Sequence, residues 1–158
     1  MIRVALDTNI LAYLAGVCRS ESDAAKISQI RDLIRGIVSA ATLIAPTQTL
    51  GELFVVMRRS GASSEEARAI LVEFAESFAT PVSELRTVMG AADLVVDHKL
   101  QFWDALIITA SADAGCSLFL SEDMQNGFVV RGMTIINPFT TPPHPKLAVL
   151  LSMNAPPA

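Results

Sequence analysis

The chain has 158 residues, of which 51% are hydrophobic, and it carries a formal net charge of −4. This length and apolar content are sufficient for one compact domain that buries a sizeable core without disulfides or structural metals. The sequence pI of about 5.1 argues against a protein that holds nucleic acid through a broadly basic surface.

The sequence also argues against a membrane protein. The mean hydropathy is +0.45, but unbroken apolar runs such as residues 10–15 are far shorter than the roughly 18–20 residues that a membrane-spanning helix needs. Asp7 interrupts the apolar opening where a signal peptide would continue. We therefore expect a cytoplasmic protein without membrane contact. The two cysteines and two histidines form no local metal-binding spacing, and we interpret them as ordinary residues.

The first half of the chain predicts two repeats of a strand followed by helix. Residues 2–6 form a β-prone run, and an Asp-Thr-Asn cluster then leads into an apolar helix. Apolar residues at every third or fourth position predict a second helix over 20–39. A buried strand over 42–45 is stopped by proline, and a helix follows over 47–59.

The second half of the chain predicts three further strands between helices. In chain order we expect a helix over 63–78, an edge strand over 80–83, helix within 84–99 and over 102–113, and strands over 117–120 and 133–136. Pro81 restricts the strand over 80–83 to a sheet edge, because proline lacks the N–H that a central ladder requires.

Short buried strands that alternate with amphipathic helices are typical of a parallel sheet covered by helices on both faces. The predicted fold class is therefore α/β, and we assign the domain to residues 1–138. Six prolines after position 137 indicate a C-terminal tail over 139–158, which lies outside the sheet or docks on a partner. All strands of a parallel sheet end at the same edge, where ligands bind.

Four acidic residues are predicted at that edge. Asp7 follows the first strand, and Asp123 follows the strand over 117–120. Glu52 has the spacing of a capping box, and Asp104 lies in the first turn of its helix. Taken singly, helix capping or the helix dipole explains each of them.

Helix capping does not explain a convergence of all four acids. Two carboxylates about 4 Å apart repel by about 4 kcal/mol at an effective dielectric constant near 20, whereas a helix N-terminus stabilises one acid by only about 0.3–1 kcal/mol. A divalent cation can offset this repulsion. A site of oxygen ligands without cysteine or histidine favours Mg²⁺ or Mn²⁺ over Zn²⁺.

Glu122 adjoins Asp123, and either of them can face the metal; we prefer Asp123.

Arg58 and Arg59 are candidate phosphate contacts, although the dipole at a helix C-terminus already favours a basic pair there.

Four segments occur in the order VALDTNILAYL, TLGELFVVMRR, FWDALIITAS and LFLSEDMQNG, and a last short strand, MTIINPF, follows them. In this order and spacing they resemble the PIN-domain ribonucleases, and especially the VapC-type toxins of bacterial toxin–antitoxin pairs. The resemblance covers residues 2–137. It implies a three-layer α/β/α PIN-like fold whose central five-stranded parallel sheet has the strand order 3-2-1-4-5.

The resemblance also implies hydrolysis of RNA phosphodiesters by an acidic site that binds Mg²⁺ or Mn²⁺. Carried over residue by residue, the metal ligands are Asp7, Glu52 and Asp104, with Asp123 as the fourth acid, and the site-organising residues are Thr8, Asn9 and Ser121. The resemblance further implies a homodimer and a small antitoxin that inserts an arginine or lysine into the groove.

Two other classes of function are alternatives for these residues. One is a PIN-like domain without catalytic activity that only binds a protein partner or RNA; the intact set of acids argues against it. The other is a receiver or haloacid-type phosphatase domain, which also places an aspartate at a strand end. The phosphatases need a DxD motif, and this chain has DTN.

Overall fold

The computed structural model describes residues 1–154. Its strands are β1 (Ile2–Leu6), β2 (Ala41–Ile44), β3 (Leu118–Leu120), β4 (Val129–Val130) and β5 (Met133–Ile136). Its helices are α1 (Thr8–Leu14), α2 (Asp23–Ile37), α3 (Thr47–Arg59), α4 (Ser64–Ser77), α5 (Leu85–His98), α6 (Phe102–Asp113) and α7 (Pro145–Ser152). The predicted α/β fold class is thus confirmed. The six predicted helices are present, and so are four of the five predicted strands, with small differences at their ends.

The five strands form one sheet in the order β2-β1-β3-β5-β4. Strand β1 lies between β2 and β3, and β3 pairs with β5; all three pairs are parallel. Strand β4 pairs antiparallel with β5. The turn between them has Arg131 at φ 50° and Gly132 at φ 80°, and positive φ at both central residues is what a tight type I′ hairpin requires. This short edge strand was not predicted.

The segment predicted as a strand over 80–83 is not a strand; it forms only an isolated parallel bridge between Ala79 and Ile44. The backbone N–H of Ala79 donates to the Leu43 carbonyl (3.2 Å), and that of Ala45 donates to the Ala79 carbonyl (2.9 Å). The next ladder bond would need an N–H at Pro81, which proline lacks. The segment still lies beside β2, at the edge to which the implied order 3-2-1-4-5 assigns it.

Two hydrophobic clusters cover the two faces of the sheet. Side chains alternate between the faces along a strand, so Val4 and Leu6 of β1 belong to one cluster and Ala5 to the other. The first cluster includes buried residues of α1, α2 and α3, and the second includes those of α5 and α6. The three-layer α/β/α arrangement follows from this alternation.

The predicted C-terminal tail contains helix α7, which packs against α2 of the same chain. Leu147 and Leu150 are buried in the first cluster, and the Asn154 side chain donates to the Gly36 carbonyl (3.0 Å). Residues 155–158 of the tail lie outside the described residues. None of the helices within residues 1–154 is long and apolar enough to cross a membrane.

Candidate active site

Asp7 is fixed between the ends of two neighbouring strands. It follows β1 and caps α1, and its Oδ1 accepts a 2.7 Å hydrogen bond from the Thr8 backbone N–H. Its Oδ2 accepts a second bond, also 2.7 Å, from the hydroxyl of Ser121, which directly follows β3. Asp7 is 8% exposed and Ser121 is fully buried. The capping role is therefore real, but it engages only one of the two carboxylate oxygens.

Glu52 is directed at the same place from helix α3. The Thr8 hydroxyl donates to its Oε2 (2.7 Å), and the Gln48 amide donates to its Oε1 (3.1 Å). The capping-box explanation of Glu52 is wrong, because α3 begins at Thr47 after Pro46 and has no side-chain cap. Glu52 lies in the second turn of the helix, so its side chain is free to face Asp7 and its neighbours.

Asp123, not Glu122, faces the other acids. The Asn9 amide donates to Oδ2 of Asp123. Glu122 points away from them, because it accepts a 2.6 Å hydrogen bond from the Tyr13 hydroxyl and forms an ion pair with Lys26. The choice that the sequence left open is thus decided by contacts that hold Glu122 on the side of α1 and α2.

These acids face one open groove of about 510 Å³, which we call the acid groove. It is lined by Asp7, Thr8, Asn9, Gln48, Gly51, Glu52, Val55, Val56, Arg59, Asp104, Asp123 and Met124. The four acids predicted at the sheet edge therefore lie together. Ser121 does not line the groove, but it donates a hydrogen bond to Asp7.

The two predicted arginines differ in position. Arg59 lines the acid groove. Arg58 instead donates to the Ala62 carbonyl (2.5 Å), just beyond the end of α3. The sequence predicts both as phosphate contacts, because a sequence pattern does not show which of two adjacent helical residues faces a groove.

The acids perturb one another electrostatically. Burial raises the pKa of Asp7 from 3.8 to about 6; the hydrogen bonds from Ser121 and Thr8 oppose this rise, and the charges of Asp104 and Asp123 add to it. Burial also raises the pKa of the half-buried Asp104, and the charges of Glu52 and Asp123 contribute further. The charges of neighbouring carboxylates therefore add to burial in disfavouring the ionised forms of Asp7 and Asp104.

This set of ligands fits a hard divalent cation. The titratable side chains that line the groove are four carboxylates and one arginine, and oxygen ligands of this kind suit Mg²⁺-like ions rather than Zn²⁺. As placed, no three acidic, histidine or cysteine side chains within residues 1–154 already surround one point. Binding of an ion therefore requires side-chain rotation, which the exposed Asp123 permits more readily than the buried Asp7.

Sequence reasoning missed two polar residues at this site. Gln48 lies one helical turn before Glu52 and orients it; the i, i+4 spacing is a signal that could have identified it. Arg19 donates to the side-chain carbonyl of Asn9 (3.3 Å), which itself donates to Asp123. Arg19 lies in the connection between α1 and α2, where no periodic pattern points to it.

The fold and the acid groove define an α/β domain with a carboxylate site at the carboxyl edge of its sheet. A family model described as "PIN domain" matches residues 4–126, which is more than half of the chain. The chain therefore belongs to the PIN domain family, a family of nucleases. No curated protein matches the sequence significantly.

Solved structures with a similar fold include proteins from three bacteria. A toxin–antitoxin complex from Klebsiella pneumoniae has a TM-score of 0.62 at 15% identity, covering 86% of this chain and 98% of the other. VapBC2 from Rickettsia felis, bound to a promoter DNA fragment, has a TM-score of 0.60 at 14% identity, covering 85% and 97%. VapC20 from Mycobacterium tuberculosis, described as a Sarcin-Ricin loop cleaving toxin, has a TM-score of 0.57 at 16% identity, covering 73% and 86%.

Proposed function

We propose that this protein is an endoribonuclease that depends on Mg²⁺ or Mn²⁺, and that it is the toxin of a toxin–antitoxin pair. The observation that carries the proposal is the acid groove, in which Asp7, Glu52, Asp104 and Asp123 share one surface. Burial raises the pKa of Asp7 and of Asp104, and the charges of neighbouring acids add to the rise. Membership of the PIN domain family supports the nuclease class.

In this proposal, the four carboxylates would hold the cation, which when bound would supply a water molecule of lowered pKa and neutralise charge on the phosphate. The remaining groups orient the carboxylates. Ser121 and the Thr8 backbone fix Asp7, and the Thr8 hydroxyl and Gln48 fix Glu52.

The substrate must approach a groove in an acidic protein. Arg59 at the wall of the groove adds a local positive charge that would attract the phosphate, together with the charge of the ion that the carboxylates would hold. Asn9, held between Arg19 and Asp123, keeps the outer acid in place. RNA binding is therefore local to the groove and does not need a basic surface.

We also propose that this protein binds an antitoxin, which is supported by the toxin–antitoxin complexes among the similar structures. In this proposal, the antitoxin is small and covers the acid groove with a basic side chain. We further propose that the toxin acts in the cytoplasm as a homodimer. Co-expression with the product of an adjacent small reading frame should yield a stable complex that lacks ribonuclease activity.

An RNA cleavage assay tests the enzymatic proposal. Wild-type protein should cut single-stranded RNA with Mn²⁺ or Mg²⁺ and stop on addition of EDTA. Asp104→Asn should reduce the rate at least about 100-fold, because it removes a carboxylate from the acid groove. Asp93→Asn, an exposed acid on α5, is the matched control and should retain full activity. Equal activity of both variants would favour a contaminating nuclease, and metal-independent RNA binding without cleavage would favour the catalytically silent alternative.

A further inference from the structure

A second cavity opens beside the acid groove. Its volume is about 300 Å³, and it shares Asp104, Asp123 and Met124 with the groove. Its other walls are formed by His98, Leu100, Gln125, Phe128 and Ile135. We propose that this cavity, the base pocket, receives one unstacked nucleobase of the RNA strand whose phosphate lies at the acids. The substrate class rests on the proposed ribonuclease function.

Two aromatic rings form a corner of the base pocket. The His98 and Phe128 rings have centroids 5.2 Å apart and planes at 75°. Phe128 is half-buried against the second hydrophobic cluster, whereas His98 is exposed at the last turn of α5. In such a corner, a planar base stacks on one ring while its edge meets the other. Proteins hold unpaired bases in this way on aromatic and histidine side chains.

The charges around the base pocket select the base rather than the phosphate. Its walls carry the carboxylates of Asp104 and Asp123, and none of its lining residues among the described part of the chain is a lysine or arginine. In the metal-free protein, these carboxylates would repel a phosphate or an acidic peptide. Gln125 is exposed and neutral, and its amide both donates and accepts hydrogen bonds. It therefore suits the polar edge of an uncharged base.

The base pocket and the acid groove keep a fixed separation because one loop supplies residues to both. Asp123 and Phe128 lie on the connection between β3 and β4. This loop is tied to β5, since the Gly127 N–H donates to the Ile135 carbonyl (2.8 Å) and the Ile135 N–H donates to the Phe128 carbonyl (2.9 Å). A base in the pocket would thus belong to a nucleotide at one defined position relative to the cut.

Binding of neutral ribonucleosides in EDTA tests the base pocket without the metal or the reaction. Adenosine, guanosine, cytidine and uridine carry no phosphate. At least one of them should shift the NMR signals of His98, one of only two histidines in the chain. Phe128→Leu should weaken this binding on the order of 5- to 100-fold, as expected for the loss of one stacking partner.

Phe78→Leu is the matched control for this substitution. Phe78 is also half-buried and also packs edge-to-face on a second ring, that of Phe74, but it lies away from the base pocket. This variant should bind the nucleosides as wild type does. The proposal would be overturned if wild type binds none of the nucleosides, or if Phe128→Leu binds them as tightly as wild type does.

The cleavage pattern separates a failure of the base pocket from a failure of the ribonuclease proposal. On an RNA pool of random sequence with Mn²⁺, wild type should show a base preference at one position, and Gln125→Ala should flatten it at least about fivefold. Gln29→Ala, an exposed glutamine on α2, should keep the preference. RNA cleavage with no nucleoside binding and no effect of Gln125→Ala refutes the pocket alone. Nucleoside binding without any metal-dependent cleavage refutes the ribonuclease alone.

Discussion

The hydroxyl of Ser121 donates a 2.7 Å hydrogen bond to Oδ2 of Asp7, and this bond joins the carboxyl ends of the adjacent parallel strands β1 and β3. It connects the topology of the sheet to the chemistry of the site. Without it, the Thr8 backbone N–H would be the one remaining donor to the Asp7 carboxylate among residues 1–154. The orientation of the most buried of the four groove acids thus depends on a residue that does not itself line the acid groove.

Loss of this hydrogen bond should weaken metal binding. We expect Ser121→Ala to reduce Mn²⁺ affinity about 10- to 100-fold, the usual effect of removing a group that orients a metal ligand. Ser111→Ala is the matched control, because Ser111 is also fully buried and its hydroxyl donates to the Ile107 carbonyl in α6. Equal Mn²⁺ affinities for both variants in a calorimetric titration would contradict an orienting role.

The raised pKa of Asp7 predicts a stability cost in the metal-free protein. Its pKa is 3.8 unfolded and about 6 folded, so the folded state binds more protons between these values and stability falls as the pH rises through that window. At pH 7 the cost is up to about 3 kcal/mol. Asp7→Asn should therefore raise the free energy of unfolding near pH 7 in EDTA. The gain is reduced by the hydrogen bonds that the carboxylate accepts and that the amide makes less well.

The comparison is made by urea denaturation of wild type and Asp7→Asn at several pH values. The difference in the free energy of unfolding between Asp7→Asn and wild type should grow from pH 4 to pH 6 and then level off. The contributions of other titrating groups cancel, because both proteins contain them. A variant that is less stable than wild type across this whole range would show that the carboxylate stabilises the fold.

Mutations of Glu122 and of Asp123 should have different effects on cleavage and on stability. Asp123→Asn removes a carboxylate from the acid groove and should reduce metal-dependent cleavage at least about tenfold. Glu122→Gln leaves the groove intact but breaks the ion pair with Lys26, so it should lower the melting temperature and retain cleavage within about twofold. The opposite pattern in a cleavage assay would mean that the loop turns the other way when the site is loaded.

Arg59 and Arg58 provide a second matched pair. Arg59→Gln should weaken RNA binding across sequences and reduce the salt dependence of binding by about one unit of slope, as expected for one lost phosphate contact. Arg58→Gln should leave RNA binding unchanged, because Arg58 is engaged with the Ala62 carbonyl. Fluorescence anisotropy with labelled RNA at several salt concentrations measures both.

The convergence of acids could be predicted because it follows from topology. Once β1 and β3 are identified as parallel strands, Asp7 and the segment after Leu120 must reach the same edge of the sheet. The alternation of Val4 and Ala5 between two cores follows equally from the period of a strand. These features depend only on patterns that extend over several residues.

Other features depend on single contacts that no pattern carries. The orientation of Glu122 is set by Tyr13 and Lys26, which are remote in sequence. The bridge at Ala79 replaces a strand because one N–H is missing at Pro81. The hairpin at Arg131 depends on a positive φ that is uncommon for arginine. Sequence reasoning therefore predicted that the four acids lie at one edge of the sheet, but not the contacts that orient them.

The most direct test of the central claim is a Mn²⁺ titration of the full chain, followed by calorimetry, with wild type, Asp7→Asn and Asp97→Asn. Asp97 is an exposed acid at the end of α5 and serves as the control. Wild type and Asp97→Asn should bind Mn²⁺ with equal affinity and cut RNA, whereas Asp7→Asn should bind at least about tenfold more weakly and should not cut. Mn²⁺ binding and RNA cleavage that persist unchanged in Asp7→Asn would contradict the account.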